Sequence, residues 1–440
     1  MKCYRVLTKS RVVELADMTT LEQSTQKHLR HNLIVNLIDG GFFGLGWGFG
    51  SVGTIIVLFV SRMTDSALLI GLIPAIHAVG WQLPQLFVAN SVSRLRRYKP
   101  TVMLMTIHER VPYLGFALVA LFIVTLGNKV ALVLTFAILI WQGLGAGFTA
   151  NAWQSMIAKI IPSDRRGTFF GAQAALANIL MSLAAIGAGF ILDRVHDPLN
   201  FTLCFLLTIV GMGLSMIFLG LTREPVDNEK QIPEYQPSPW KGGLELLRRD
   251  RNFAAYIVVR VLSQFATMGF AFYILYGLRR FGMSDLTAGL LTAALTISST
   301  VANALMGWLG DRFGHRAMLI AGSVSVTLSS LLAWGAPSIG WLYPAFILSG
   351  LASVAFWTIG MAITVEFGSE ETRPIYIGLS NTLVAPATII APLIGGWIAQ
   401  AVSFQATFMV SAVGGLVIAV LLFWLVRDPR PRVKVAALER

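Results

Sequence analysis

Four ionisable side chains stand inside long apolar runs of this 440-residue chain: Asp39, Glu109, Arg110 and Arg260. A charge at bilayer depth costs roughly 2.5 to 3.5 kcal/mol on insertion scales, so such a group is kept where it pairs, meets water or carries a proton. Asp39, in Asn36-Leu37-Ile38-Asp39-Gly40-Gly41-Phe42-Phe43, lies about seven residues into its run, roughly 10 Å deep at 1.5 Å per residue. It is either a static ion-pair anchor or a carboxylate that gains and loses a proton as water reaches it. Glu109 and Arg110 are sequence neighbours, which places them about 100° apart on a helix and gives each a partner elsewhere; Glu109 is the second proton-coupling candidate. Arg260 sits roughly 13 Å in from Arg251, too deep to reach water easily along its own stem. Tyr256, Arg260, Gln264 and Thr267 recur at helical spacing, which gathers polar groups into one stripe fit to line a wet cavity. Trp47, Trp153, Phe356 and Trp357 are candidates for contact with an apolar or cationic ligand. No Gly-Lys-Ser/Thr phosphate loop, zinc-ligand spacing or nucleophile elbow accompanies them, so no catalytic residue, metal site or cofactor is expected.

The elements that hold these groups follow from composition. A chain that is 55% hydrophobic and 13% charged has more apolar surface than one soluble core can hide. Apolar runs of about 20 residues or more, each able to cross a hydrocarbon layer of roughly 30 Å, recur from Leu33 to Val426. They lack the alternation of a membrane barrel, and backbone groups in lipid need internal partners, so each reads as a helix. The predicted spans are 33–60, 66–89, 101–126, 130–160, 168–192 and 199–221, then 252–279, 286–309, 317–336, 341–366, 375–401 and 404–426. The fold class is an all-α membrane protein of twelve transmembrane helices in two six-helix bundles. The bundles cover 32–221 and 252–426, flanked by tails over 1–31 and 427–440 and separated by a Pro-rich, charged linker over 222–251. A short surface helix is expected near the linker's end.

The formal charge of +12 excludes a nucleic-acid face, because the basic residues are scattered among turns. With the N-terminus cytoplasmic, tails and even-numbered turns hold 27 of the 34 Lys and Arg, odd-numbered turns hold 5, and 2 lie within helices. That asymmetry predicts a multi-pass protein of the inner or plasma membrane with both termini cytoplasmic. The two cysteines, Cys3 and Cys204, form no disulfide framework.

One turn is unusual: Gly307-Trp308-Leu309-Gly310-Asp311-Arg312-Phe313-Gly314-His315-Arg316. Asp311 can accept from open amides at a helix start, or pair with Arg312 or Arg316. Its counterpart in the first half, Asn90-Ser91-Val92-Ser93-Arg94-Leu95-Arg96-Arg97-Tyr98-Lys99, keeps the positive charge, with Arg94, but has Ser93 in the carboxylate position. A second echo pairs the 161–171 turn with 367–378: Arg166 precedes Gly171 by five residues, and Arg373 precedes Gly378 by five. The Gly307 to Arg316 pattern resembles the signature loop between helices 2 and 3, and 8 and 9, of the major facilitator superfamily of secondary transporters. The resemblance covers helix 1 to helix 12. It implies two six-helix bundles that rock about a central site, with helices 1, 4, 7 and 10 facing the cavity and the Arg260 stripe opposite Asp39. It makes Gly307, Asp311, Arg312, Gly314 and Arg316 a cytoplasmic latch.

Two departures bear on function. Gln142-Gly143-Leu144-Gly145-Ala146 resembles a helix-4 motif that usually has an Arg three residues before the Gln, where this chain has Leu139. Helix 5 lacks the Gly-Pro pair of many drug/proton antiporters, and Ala391-Pro392 stands on helix 11 instead. The reading that follows is a secondary active transporter of a small molecule, proton-coupled through Asp39, with efflux favoured. The alternative is a proton symporter or an uncoupled facilitator; a membrane-embedded enzyme or a receptor has no supporting motif. The expected partners are a small-molecule substrate, the bilayer and protons, with no nucleic acid and a monomer as the working unit.

Overall fold

The computed structural model describes residues 20–64, 66–226, 239–283 and 285–429. Residues 1–19, 227–238 and 430–440, which hold Cys3, the middle of the linker and most of both predicted tails, lie outside the described residues. Among the described residues twelve helical rods run back and forth. In the first half they are α1 (Thr20–Phe49, resumed at Ile55–Ser61), α2 (Ala67–Gln82 and Pro84–Ser93), α3 (Lys99–Arg110 and Pro112–Leu121), α4 (Ile123–Ile160), α5 (Arg166–Arg194) and α6 (Leu199–Gly220). A linker helix, Pro239–Arg249, precedes the second half. There follow α7 (Arg251–Thr267, a 3₁₀ stretch Met268–Phe272, then Tyr273–Phe281), α8 (Asp285–Phe313), α9 (His315–Trp334), α10 (Leu342–Val354, a π-turn Ala355–Ile359, then Gly360–Thr364), α11 (Arg373–Ala401) and α12 (Phe404–Trp424).

Eleven of these rods are long and apolar enough to cross a bilayer. α1 falls short of that measure because Asn32, Asn36 and Asp39 interrupt its apolar run. It is nevertheless buried against α5 and α6, with Gly40, Gly44 and Gly48 set on Gln173, Ala177 and Met181 of α5. α1 starts at Thr20 rather than near residue 33, and α2 and α8 outrun their predicted ends. The apolar run marks only the lipid-facing length, whereas the backbone ladder continues into the polar interface. The linker helix spans Pro239–Arg249 where the sequence places one over 242–251, and it packs on α2 and α11.

The packing scheme repeats. In the first half α1 packs on α5 and α6, α3 on α4 and α6, and α2 on α4. In the second half α7 packs on α11 and α12, α9 on α10 and α12, and α8 on α10. The halves meet along two seams, α5 with α8 and α11 with α2, which exchange under the same relation. Two asparagines close the halves in matching ways. Asn32 donates to the Arg223 carbonyl and accepts from the Arg223 amide, each at 2.9 Å. Asn252 donates to the Arg427 carbonyl at 2.9 Å and accepts from the Arg427 amide at 2.6 Å. Each clasp ties the first helix of its half to the end of the last one, so both halves begin and end on one face, here the terminal face.

Candidate functional site

The charged groups of α1 and α3 converge on α6. Asp39, 5% exposed, accepts a 2.6 Å hydrogen bond from the Ser215 hydroxyl. Arg110, 8% exposed, donates to Ser215 Oγ at 2.9 Å and to the Met212 carbonyl at 3.1 Å, and its guanidinium lies 5.6 Å from the centre of the Phe43 ring. Asp39 therefore reaches Arg110 through one hydroxyl. Glu109 completes the cluster, 3.6 Å from Arg110. Local sequence explains the crowding. Pro112 has no amide to offer the ladder, so α3 breaks at Val111 just past the charged pair. Gly145 lets α4 lie against the backbone of His108 and Glu109.

These groups line a cavity of about 260 Å³ between the first half and α10. Its polar wall holds Asp39, Glu109, Arg110 and Gln173; its aromatic wall includes Trp81, Trp153, Phe170 and Trp357. The π-turn of α10 carries Trp357 and Thr358 to the wall; a π-turn adds a residue per turn and re-aims its side chains. Trp81 and Trp357 meet across the two halves with ring centres 5.1 Å apart and ring planes tilted by 34°.

Just inside the terminal face the halves are pinned. Asp311, near the end of α8, accepts from the amides of Gly167 at 2.8 Å and Thr168 at 2.6 Å, the open donors at the start of α5. His315 lies buried between Asp311, 3.4 Å away, and Glu366, 3.0 Å away. At Gly171 the α5 backbone comes so near the Asn303 carbonyl and Gly307 that a methyl group would not fit. The other seam uses neutral groups. Asn381 donates to Gln85 Oε1 at 2.7 Å, and Asn151 donates to the Gln85 and Pro374 carbonyls at 2.9 and 2.8 Å. Gly378 gives α11 its approach to the Gln85 backbone. Beside this seam Lys159 lies buried, 3.4 Å from Glu224 and 3.5 Å from Glu370 of the other half. Phe170 and Gln173 stand within two turns of Gly167, so the pinned layer lies directly beneath the cavity.

The family model described as Major Facilitator Superfamily matches residues 109–279 and 261–440, three quarters of the chain. The chain belongs to this superfamily. The E. coli fucose:proton symporter FucP, solved in the outward conformation, superposes with a TM-score of 0.73 at 15% identity, covering 89% of this chain and 98% of FucP. An uncharacterized protein of Mycobacterium tuberculosis is 23% identical over 389 residues, covering 83% of this chain and 72% of that protein. Multidrug resistance protein 1 of Bacillus subtilis is 27% identical over 148 residues, covering 33% of this chain and 38% of that protein.

Within the superfamily fold, several predicted residues take other places. Arg260 does not face Asp39: it donates to the Asn381 side chain at 3.3 Å and the Gly360 carbonyl at 3.5 Å, and is not among the cavity's lining residues. Tyr256 bonds Gly360 and Thr364 inside the second half. Thr267 turns back on Ser263, and Gln264 meets Thr388, which also donates to Gln82 of the first half at 3.2 Å. Spacing assigns these four a common stripe; it cannot say that the stripe faces α10 and α11. Trp47 packs on Phe43 and His77 outside the lining, whereas Trp153 and Trp357 do line the cavity. His77 bonds Gln142, and His108 accepts from Trp141, as packing histidines do.

The arginines of the loop take separate work. Arg312 lies over Trp308 and Phe313, and Arg316 donates to the Leu422 and Phe423 carbonyls at the end of α12, so Asp311 holds a helix start in the other half instead. Arg94 is exposed at the end of α2, and Gly314 takes a positive φ of 103° in the turn between α8 and α9. The echoed pair has one shared role: Arg166 donates to the Ile161 and Ala158 carbonyls at the end of α4, and Arg373 to the Val365 carbonyl after α10. Ser215, Trp81 and the asparagine clasps escaped the sequence reading. Only the clasps left a signal, an Asn at the same place before each half's first apolar run.

Proposed function

We propose that the protein is a proton-coupled exporter of a small molecule, working by alternating access as a monomer in the plasma or inner membrane, with its terminal face in the cytoplasm. The observation that carries the reading is the Asp39 carboxylate, buried at bilayer depth and held by a single hydroxyl, with Arg110 one residue further along the chain of bonds. A group so placed can exchange a proton when Ser215 turns away, and Arg110 then supplies the balancing charge. The pinned terminal layer beneath the cavity suits the outward-facing member of an alternating pair, and the excess of Lys and Arg on that side favours the orientation. Likeness to a multidrug resistance protein over a third of the chain favours export.

The test is flux in proteoliposomes with and without an imposed pH gradient. Asp39→Asn is expected to abolish gradient-driven accumulation and to leave exchange of substrate for substrate, because the amide imitates a permanently protonated acid. A variant that follows the gradient like the parent removes Asp39 from coupling and passes the role to Glu109.

A further inference from the structure

The cavity also has a charge balance and a wall chemistry. Among its described lining residues the ionisable groups are Asp39, Glu109 and Arg110, so two carboxylates face one guanidinium and one formal negative charge is left over. Asp39 is faced by Ser215 from α6, Arg110 and Glu109 from α3 and Gln173 from α5; α5 and α6 bring no charge to the lining. Arg260 stands against Gly360, turned to Asn381 and outside the lining. The indoles of Trp81, Trp153 and Trp357 line the same cavity. Indole faces are the strongest aromatic acceptors of a cation, and Trp357 is 57% exposed, with much of its ring uncovered by protein. The face of Phe43 is already taken by Arg110. A volume of about 260 Å³ admits a compact ligand of one or two rings.

From this arrangement we infer that the cavity binds a compact, monovalent, aromatic organic cation between the tryptophans and the Asp39–Glu109 carboxylates, and that this cation and the coupling proton exclude one another. The exclusion follows from the charge count: one surplus negative charge on the buried Asp39 and Glu109 side chains neutralises one cation of either kind. The inference rests on the transport reading above, and its test is separate from that reading.

Three probes of one shape decide it: the N-methylated phenylpyridinium cation, neutral methylbiphenyl and the biphenyl carboxylate anion. Binding is read by quenching of tryptophan fluorescence in the purified full chain. The cation is expected to bind at least tenfold more tightly than the neutral probe, the anion most weakly, and the cation's advantage is expected to shrink as the pH falls. Trp357→Leu, at an exposed position, is expected to weaken the cation about three- to tenfold and the neutral probe less. Asp39→Asn is expected to bring cation and neutral probe close to parity. A parent protein that ranks the neutral or anionic probe level with the cation, or whose ranking ignores pH, overturns the inference, and this comparison needs no variant. If the cation ranks first but a pH gradient drives no flux, the transport reading fails and the ligand class stands. If the gradient drives flux of another solute while the ranking fails, only the ligand class falls.

Discussion

Replacing Asp311 by Asn tests the pinned layer directly. The carboxylate accepts two charge-assisted hydrogen bonds, from Gly167 and Thr168, and places a negative charge on the positive end of α5. Such bonds contribute about 1.5–3 kcal/mol each, and a charge at a helix start about 0.3–1 kcal/mol. Asparagine keeps one acceptor oxygen, turns an NH₂ group toward the second amide and removes the charge. The net loss is about 2–3 kcal/mol, borne only by the conformation in which α5 and α8 touch. At about 1.4 kcal/mol per tenfold, the equilibrium shifts roughly 30- to 140-fold toward opening on the terminal face. Spin labels on Arg165→Cys and Arg312→Cys, both exposed and on opposite sides of this seam, with Cys3 and Cys204 replaced by Ser, report that opening as a longer distance. Asp311→Asn is expected to turn a single short distance into a population dominated by the long one. An unchanged distribution refutes the argument and reduces the loop to a turn.

Two further substitutions separate contact from charge. Gly171→Ala puts a methyl group 2.0 Å from the Asn303 carbonyl oxygen, so α5 and α8 must part at a cost of about 1–3 kcal/mol; the same labels should move, and Gly378→Ala, 2.8 Å from its neighbours, should move them less. Lys159→Met leaves the buried Glu224 without its cation and should lower thermal stability by about 3–5 kcal/mol, whereas Glu370→Gln leaves Lys159 beside Glu224 and should cost less than about 1 kcal/mol; equal losses would show that Lys159 does not answer to Glu224.

The architecture could be read from the chain because hydrophobic length and loop repeats are one-dimensional signals. The twelve runs return as helices, and the Arg-to-Gly echo returns as two arginines that each donate to the end of a preceding helix. The cavity was harder, since depth along a helix follows from counting residues while direction around it does not. Asp39 and Arg260 are both deep, yet one turns to α6 and the other to α11. Ser215 gave no hint, being one hydroxyl among many, and the π-turn that aims Trp357 leaves no mark in Ala355-Phe356-Trp357-Thr358-Ile359. The alternative stated for Asp311, capping a helix start, holds because α5 begins with open amides and the neighbouring arginines are committed to other carbonyls and rings.

The two seams are related by the same operation but built from different chemistry, and that difference orders their release. Between α5 and α8 the closure is a carboxylate on two amides beneath glycine-tight backbone, with His315 and Glu366 buried behind it. Between α2 and α11 it is a row of amides and hydroxyls, Gln85 with Asn381 and Gln82 with Thr388, each exchangeable for water at little cost. Neutral bonds of this kind can be traded one at a time as helices slide, whereas the Asp311 cap is lost whole, because its two bonds share one carboxylate. Rocking of the halves should therefore begin as slippage along α2 and α11 and be committed at α5 and α8. The first half, which has Ser93 where the second has Asp311, lacks the carboxylate that would make its own seam equally firm.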